Sequence, residues 1–159
     1  MTRDAGREND VIQAGSIKQT TGFTLAKVCK AHRSNVGDLL AEFGLHPGQE
    51  MVLLELWSQD GLRGSELAGR LGVEPPTITK MLRRLEGCGL IERRPNPTDA
   101  RSFRVYLTGK GRSLEDPVTR CWTRTEEQTL ARMSDDERQT LYQLLTKVRS
   151  NLDPNFSEN

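Results

Sequence analysis

Apolar residues recur at three- and four-residue steps between Ser16 and Phe43, at Leu25, Cys29, His32, Val36, Leu39, Leu40 and Phe43. That period predicts one long amphipathic helix, closed by Gly44. A second helix is expected to carry Pro47 in its first turn and to bury Val52, Leu53, Leu56 and Trp57. Asp60-Gly61 marks a turn. Leu67, Ala68 and Leu71 then define a short third helix over Gly64–Leu71, ended by Gly72. After the tight Gly72-Val73-Glu74 connection, Pro75 starts a fourth helix that reaches Gly87 or Cys88.

The pattern changes beyond this point. Leu90 to Arg93 reads as a short strand, and Phe103 to Leu107 alternates with aromatic and β-branched residues as a second one. The segment between them holds the turn formers Pro95, Asn96, Pro97 and Asp99, so the two strands form a hairpin. Thr108 is placed to cap a fifth helix to about Arg132, with Pro117 as a kink. Ser134 and Glu137 make a capping box for a sixth helix with Leu141, Leu144, Leu145, Val148 and Leu152 on one face. The predicted class is mainly α (α+β). The middle elements have the order and lengths of a winged helix-turn-helix, with amphipathic helices on both flanks. The expected organisation is a tail over residues 1–15, an N-terminal dimerisation helix over 16–45, a DNA-binding domain over 46–112, dimerisation helices over 113–152 and a frayed tail over 153–159.

Charge sharpens this picture. The chain's net charge is only +1, but Leu62 to Arg112 holds eleven Lys/Arg against five Asp/Glu, a net of +6. The flanks are acidic, at −2 for residues 1–61 and −3 for residues 113–159. A basic block between acidic arms predicts a polyanionic partner for the middle third. The longest apolar run is Met51–Leu54, far short of the roughly 18 residues a membrane span needs, and the polar Met1–Asp10 segment shows no signal peptide; a cytoplasmic location is expected. Cys29, Cys88 and Cys121 form no CxxC pair, so neither a zinc site nor a disulfide framework is indicated. No Ser/His/Asp set or phosphate loop is present, and two histidines leave little for acid–base chemistry. The chain is therefore not expected to be an enzyme or to need a cofactor or metal.

The fourth helix carries the candidate chemistry. Ile78, Met81, Leu82 and Leu85 share one face by the 3.6 period. The opposite face carries Pro76, Lys80 and Arg83, flanked by Thr77, Thr79 and Arg84. One stripe anchors such a helix, and the other offers cations and hydroxyls to base edges and phosphates. Residues near its N-terminus are the expected base readers.

Ser65-Glu66-Leu67-Ala68, Leu71-Gly72-Val73, Thr77-Ile78-Thr79-Lys80, Leu85-Glu86, Gly89-Leu90-Ile91-Glu92-Arg93, Asp99-Ala100-Arg101-Ser102 and Leu107-Thr108-Gly109-Lys110-Gly111 together resemble the multiple antibiotic resistance regulator (MarR) family of bacterial repressors. The resemblance implies that Arg101, at the wing tip, enters the DNA minor groove, where negative potential is concentrated. It implies that Asp99 pairs with Arg101 or a nearby basic residue. Arg93, Arg94 and Arg104 would add phosphate contacts, as would Arg63 and Ser65 at the start of the third helix. Three departures stand out: Glu74 takes the place of a capping hydroxyl or Asn, Pro75 is doubled by Pro76, and Arg63 sits where a capping hydroxyl often starts the third helix.

The resemblance also implies an interleaved homodimer that reads a palindromic operator. Many such proteins bind a small aromatic or anionic effector between the dimer helices and the winged domain and then release DNA. His32 and Trp57 are the candidates for such a pocket here, with Trp122 a further possible lining residue; each also reads as an ordinary core residue. Relatives that sense peroxide carry their cysteine nearer the start of the first helix, at about Gly22. Cys29 and His32 lie one turn apart, and Cys88 follows the recognition helix. The leading expectation is a repressor released by a ligand. The alternatives are a constitutive or redox-responsive regulator or activator of the same fold, and a protein-interaction module that no longer binds DNA.

Overall fold

The structure, a computed structural model, describes residues 15–153. The two expected tails lie outside the described residues, except for Gly15 and Asp153. The first helix is shorter than its apolar period suggests. A 3-10 turn at Ile17–Gln19 precedes α1 (Thr21–Leu40), and another at Ala41–Phe43 follows it. Thr20 sets the start: its backbone is extended, and its hydroxyl oxygen accepts the Phe23 N–H at 3.1 Å, satisfying an orphan donor of the first turn. Gly44, at φ 70°, ends the segment in the left-handed region that favours glycine. Of the expected stripe only Val36 and Leu40 are buried, and Cys29 is exposed.

Helix α2 (Gln49–Ser58) begins after Pro47 rather than around it. Gly48 intervenes at φ 99°, a left-handed conformation that a helical first turn cannot contain. The side chains of the next two residues tie this corner. Gln49 Oε1 accepts the His46 N–H at 2.8 Å, and Glu50 Oε2 accepts the Gly48 N–H at 2.6 Å. Burial pushes the Glu50 carboxyl above its ordinary value, against that hydrogen bond and the nearby Arg33 charge.

Strand β1 (Leu62–Arg63), α3 (Gly64–Leu71) and α4 (Pro75–Gly87) follow, then the hairpin of β2 (Ile91–Asn96) and β3 (Asp99–Leu107). The antiparallel sheet has the order β1-β3-β2. Both wing strands extend further toward the tip than expected, leaving Pro97 and Thr98 as the turn. Pro95 is accommodated because β2 is an edge strand, where one side of the backbone needs no donor. Strand β1 was not anticipated. It pairs Leu62 with Val105 and Arg63 with Arg104.

The fifth helix expected from Thr108 is two helices, α5 (Gly109–Ser113) and α6 (Glu115–Thr129). The break falls at Leu114, and Pro117 occupies the first turn of α6 rather than a mid-helix kink. Proline has no N–H to give to the preceding turn and crowds the carbonyl four residues back, so the helix restarts. Helix α7 (Asp135–Leu152) starts on the expected box: Ser134 N donates to Glu137 Oε2 at 2.8 Å, and Glu137 N to Ser134 Oγ at 3.3 Å. No helix among the described residues is long and apolar enough to cross a membrane.

One apolar cluster joins Val36 and Leu40 of α1, Val52, Leu53 and Leu56 of α2, Leu67 of α3, and Ile78, Leu82 and Leu85 of α4. It continues through Ile91, Val105 and Leu107 of the sheet to Val118 and Cys121 of α6. Helix α7 contributes no buried residue. Its Tyr142, Leu144, Leu145 and Leu152 are 70%, 54%, 44% and 75% exposed, an apolar face that this chain leaves uncovered.

Gly111 shows why the Leu-Thr-x-x-Gly segment ends in glycine. A Cβ there would run into the carbonyl oxygen of Leu90, a backbone atom that cannot swing aside. Gly109 has nothing near its own Cβ position. Gly111→Ala is therefore expected to destabilise the fold by about 3 kcal/mol, the upper range for overpacking. Gly109→Ala should stay within about 1 kcal/mol of the parent in urea denaturation.

Candidate nucleic-acid interface

Helix α4 enters at Glu74, which serves as N-cap without a side-chain cap bond. Pro75 and Pro76 have no N–H, and the N–H groups of Thr77 and Ile78 both go to the Glu74 carbonyl, at 2.9 and 3.2 Å. The helix start therefore offers no free backbone donors to an anion, which leaves polar contacts there to side chains. Ile78, Leu82 and Leu85 are buried, while Pro76, Thr77, Thr79, Lys80, Arg83 and Arg84 are exposed. Thr79 Oγ1 donates to the Pro75 carbonyl at 2.8 Å, so toward solvent it presents an acceptor and a methyl group. Among the described residues, Lys80, Arg83 and Arg84 make no ion pair.

The wing arginines are placed differently from one another. Arg93 Nε lies 3.2 Å from Glu86 Oε2 of α4, at ion-pair distance but outside hydrogen-bond geometry, and its guanidinium sits 4.7 Å from the Phe103 ring centroid. This clasp joins the end of α4 to the wing. Arg94 pairs with Glu92 and lies 4.5 Å from the Tyr106 ring centroid. Arg104 is half-buried and bonds the Gly61 carbonyl and Asn96. Arg101 is exposed, and no partner for its guanidinium is found among the described residues. Asp99 holds the backbone of Arg101 instead: its Oδ1 accepts the Arg101 N–H at 3.0 Å.

At the start of α3, Arg63 donates its backbone N–H to Glu66 Oε2 at 2.7 Å and forms an ion pair with the same carboxylate at 3.2 Å. The N–H bond, and then the guanidinium, hold Glu66 below the usual carboxylate range. Ser65 is exposed on the same turn. Asp60 fastens the base of the wing. Its Oδ1 accepts the Gly61 and Leu107 N–H groups at 3.1 and 3.0 Å, and Oδ2 pairs with Arg112. Neither Asp60 nor Asn96 was singled out from the sequence, where Asp-Gly and Asn-Pro read only as turns.

His32 and Trp57 are engaged separately. His32 faces Trp122 of α6, with ring centroids 5.7 Å apart, and the Trp57 indole N–H donates to the Gly111 carbonyl at 3.1 Å. Neither lines the hollow of about 350 Å³ at the wing or that of about 340 Å³ along α7. The Trp122 indole nitrogen is buried without a hydrogen-bond partner. Cys88 is exposed at the end of α4, Cys121 is buried, and no metal-holding cluster is found among the described residues.

Comparison with known proteins finds a family match and relatives for this chain. Residues 45–103 match the MarR family pattern. The HTH-type transcriptional regulator TtmR of Methylorubrum extorquens is 36% identical over 123 residues, which are 77% of this chain and 60% of that protein. A putative transcriptional regulatory protein for the hcr operon of Thauera aromatica is 31% identical over 84% of this chain and 81% of its own length. Among solved structures, the transcriptional repressor CouR bound to a 23-mer DNA duplex superposes with a TM-score of 0.77. That match has 29% identity and covers 87% of this chain and 98% of that one.

The Glu86–Arg93 clasp predicts a measurable coupling. Glu86→Ala and Arg93→Ala should each destabilise the chain by about 1 kcal/mol, and the double variant should cost clearly less than the two single costs combined. Strict additivity in denaturant titrations would show that the clasp contributes nothing.

Proposed function

The chain belongs to the MarR family, and on that premise we propose that it is a homodimeric, sequence-specific repressor that binds a near-palindromic operator in double-stranded DNA. The observation that carries this reading is the division among the basic side chains. Lys80, Arg83 and Arg84 on the outer face of α4, and Arg101 at the wing tip, are exposed and unpaired among the described residues. Free cations at these two places suit a duplex whose major groove takes a helix and whose adjacent minor groove takes an arginine. Pro76, Thr77, Thr79, Lys80 and Arg83 read bases, and Arg84 meets the backbone. Arg63, Ser65 and Arg94 add phosphate contacts at the margins. The wing residue Asp99 acts by fixing the Arg101 backbone.

The uncovered apolar face of α7, with α1, supports a dimer built from the terminal helices over 16–45 and 113–152, which leaves residues 46–112 to the DNA. Two copies would place their recognition helices about one DNA turn, 34–36 Å, apart. A small aromatic or anionic effector acts between the dimer helices and the winged domain, with His32 as its candidate contact; His32 meets Trp122, whose indole N–H has no partner among the described residues. Effector binding releases DNA by favouring a state with a different spacing of the recognition helices. The protein works in the cytoplasm and carries out no catalysis.

The test is an operator titration, after selection of the site from random duplexes. Arg101→Ala should weaken operator binding by about tenfold or more while leaving the dimer intact, and affinity should fall steeply with salt because phosphate contacts release counterions. Unchanged affinity for Arg101→Ala, or a flat salt response, would contradict this account. Repeating the titration with phenolic acids tests the effector: release of DNA supports it, and indifference of both DNA binding and melting temperature favours a constitutive regulator.

A further inference from the structure

We propose that Asn96 and Arg104 are positioning residues for the wing, which hold Arg101 in register for DNA rather than touching DNA themselves. Asn96 is a buried polar residue, 6% exposed, near the tip of a hairpin whose buried apolar residues, Ile91, Val105 and Leu107, lie toward its base. Every polar atom of its side chain is engaged. Oδ1 accepts the Thr98 N–H at 3.4 Å, the Thr98 hydroxyl at 3.1 Å and Arg104 Nε at 3.3 Å. Nδ2 donates to Ser102 Oγ at 2.9 Å, and that hydroxyl donates to the Asp99 carbonyl at 3.2 Å. The knot sits where the β2–β3 register shifts, between Pro95 and Asn96. It supplies side-chain bonds where the regular ladder is interrupted.

Arg104 connects that knot to the body of the domain. It stands on the central strand β3, and its two bonds diverge. Nε reaches Asn96 at the tip end of β2, while Nη1 donates to the Gly61 carbonyl at 2.8 Å, beside β1. Gly61 is itself fixed: its N–H goes to the Val105 carbonyl at 3.0 Å, and the Tyr106 ring fills the space where a Cβ would stand. One guanidinium thus braces the wing tip against the turn that Asp60 fastens.

Charge points the same way. In register, Arg63, Arg104 and Arg94 lie abreast on one rung of the sheet, and directly opposed like charges repel. Arg63 is relieved by Glu66 and Arg94 by Glu92. Arg104, in the middle, feels the Glu66 charge but forms no ion pair with a carboxylate among the described residues, and it directs two donors to neutral oxygens. A planar fork with divergent donors can make that span, whereas a lysine ammonium offers the charge without the fork. Loss of the brace would leave Arg101 on a hairpin free to tilt, and the cost of ordering it would fall on binding.

The inference rests on the DNA-binding reading, and the experiment separates the two. Operator affinity is measured across a salt series for the full-length chain and for Arg104→Lys, Arg104→Gln, Asn96→Ala and Asn96→Ser, each checked for folding by circular dichroism. Hydrogen exchange of the wing is followed in the free proteins. A positioning role predicts that Arg104→Lys and Arg104→Gln lose affinity alike, by about tenfold, the size expected for hydrogen bonds to a charged group. The slope of log K against log salt should be unchanged, and exchange should accelerate over residues 96–104 but not in α4. The Asn96 variants should behave the same way. A phosphate contact predicts the opposite: Arg104→Gln would lower the slope by about 0.9 per contact, and Arg104→Lys would restore it. That result, or unaltered wing exchange, overturns the proposal. If the unsubstituted chain binds no duplex, the functional reading fails and the positioning role goes with it. If it binds and the variants bind equally well, the positioning role fails alone.

Discussion

Ile78, Leu82 and Leu85 are each almost fully buried, against the cluster that α2, α3 and the sheet provide. Burying each such side chain is worth about 1.5–3 kcal/mol, whereas an exposed ion pair is worth about 1 kcal/mol or less. The rotation of α4 about its own axis is therefore set by its apolar stripe and not by its charges. Once that rotation is fixed, Pro76, Lys80 and Arg83 have to face outward, because they lie on the opposite side of a 3.6-residue period. The basic face is a consequence of the buried one.

The wing obeys a different constraint. Beyond Ile91, Val105 and Leu107, which anchor its base in the core, the hairpin has little buried apolar surface, so the attitude of its tip depends on hydrogen bonds and ring contacts. Three fastenings serve that end: Asp60 at the base, the Glu86–Arg93–Phe103 clasp to α4, and the Asn96 knot braced by Arg104. Each commits a charged or polar group to structure. Arg101 stays uncommitted at the tip, held only through its backbone by Asp99. The arginines of the wing look interchangeable by composition and differ entirely by partner.

The helical framework was legible in the sequence because its signals are local. Helix α3, helix α4 and the Ser134–Glu137 box lie where the period and the caps put them. The misreadings arose where distant contacts override local pattern. Pro95 and Asn96 resemble loop residues, yet they belong to a strand, since an edge strand tolerates proline and Asn96 gains partners six and eight residues away. Strand β1 is two residues long and exists only because β3 pairs with it. Gly48 delays α2 by taking a left-handed conformation that composition does not announce. The division of labour among Arg93, Arg94, Arg101 and Arg104 depends on Glu86, Glu92, Asn96 and Gly61, and no periodicity reveals those pairings.

Hydroxyl-radical footprinting of the full-length chain on its selected duplex tests most directly whether the α4 face and the wing tip act together as a DNA-reading unit. Two symmetric half-sites are expected, with centres about 34–36 Å apart along the duplex, each protected in the minor groove beside the major-groove segment that α4 occupies. In Arg101→Ala the minor-groove protection should disappear first. Protection of a single half-site, or a footprint without any minor-groove component, would contradict the account.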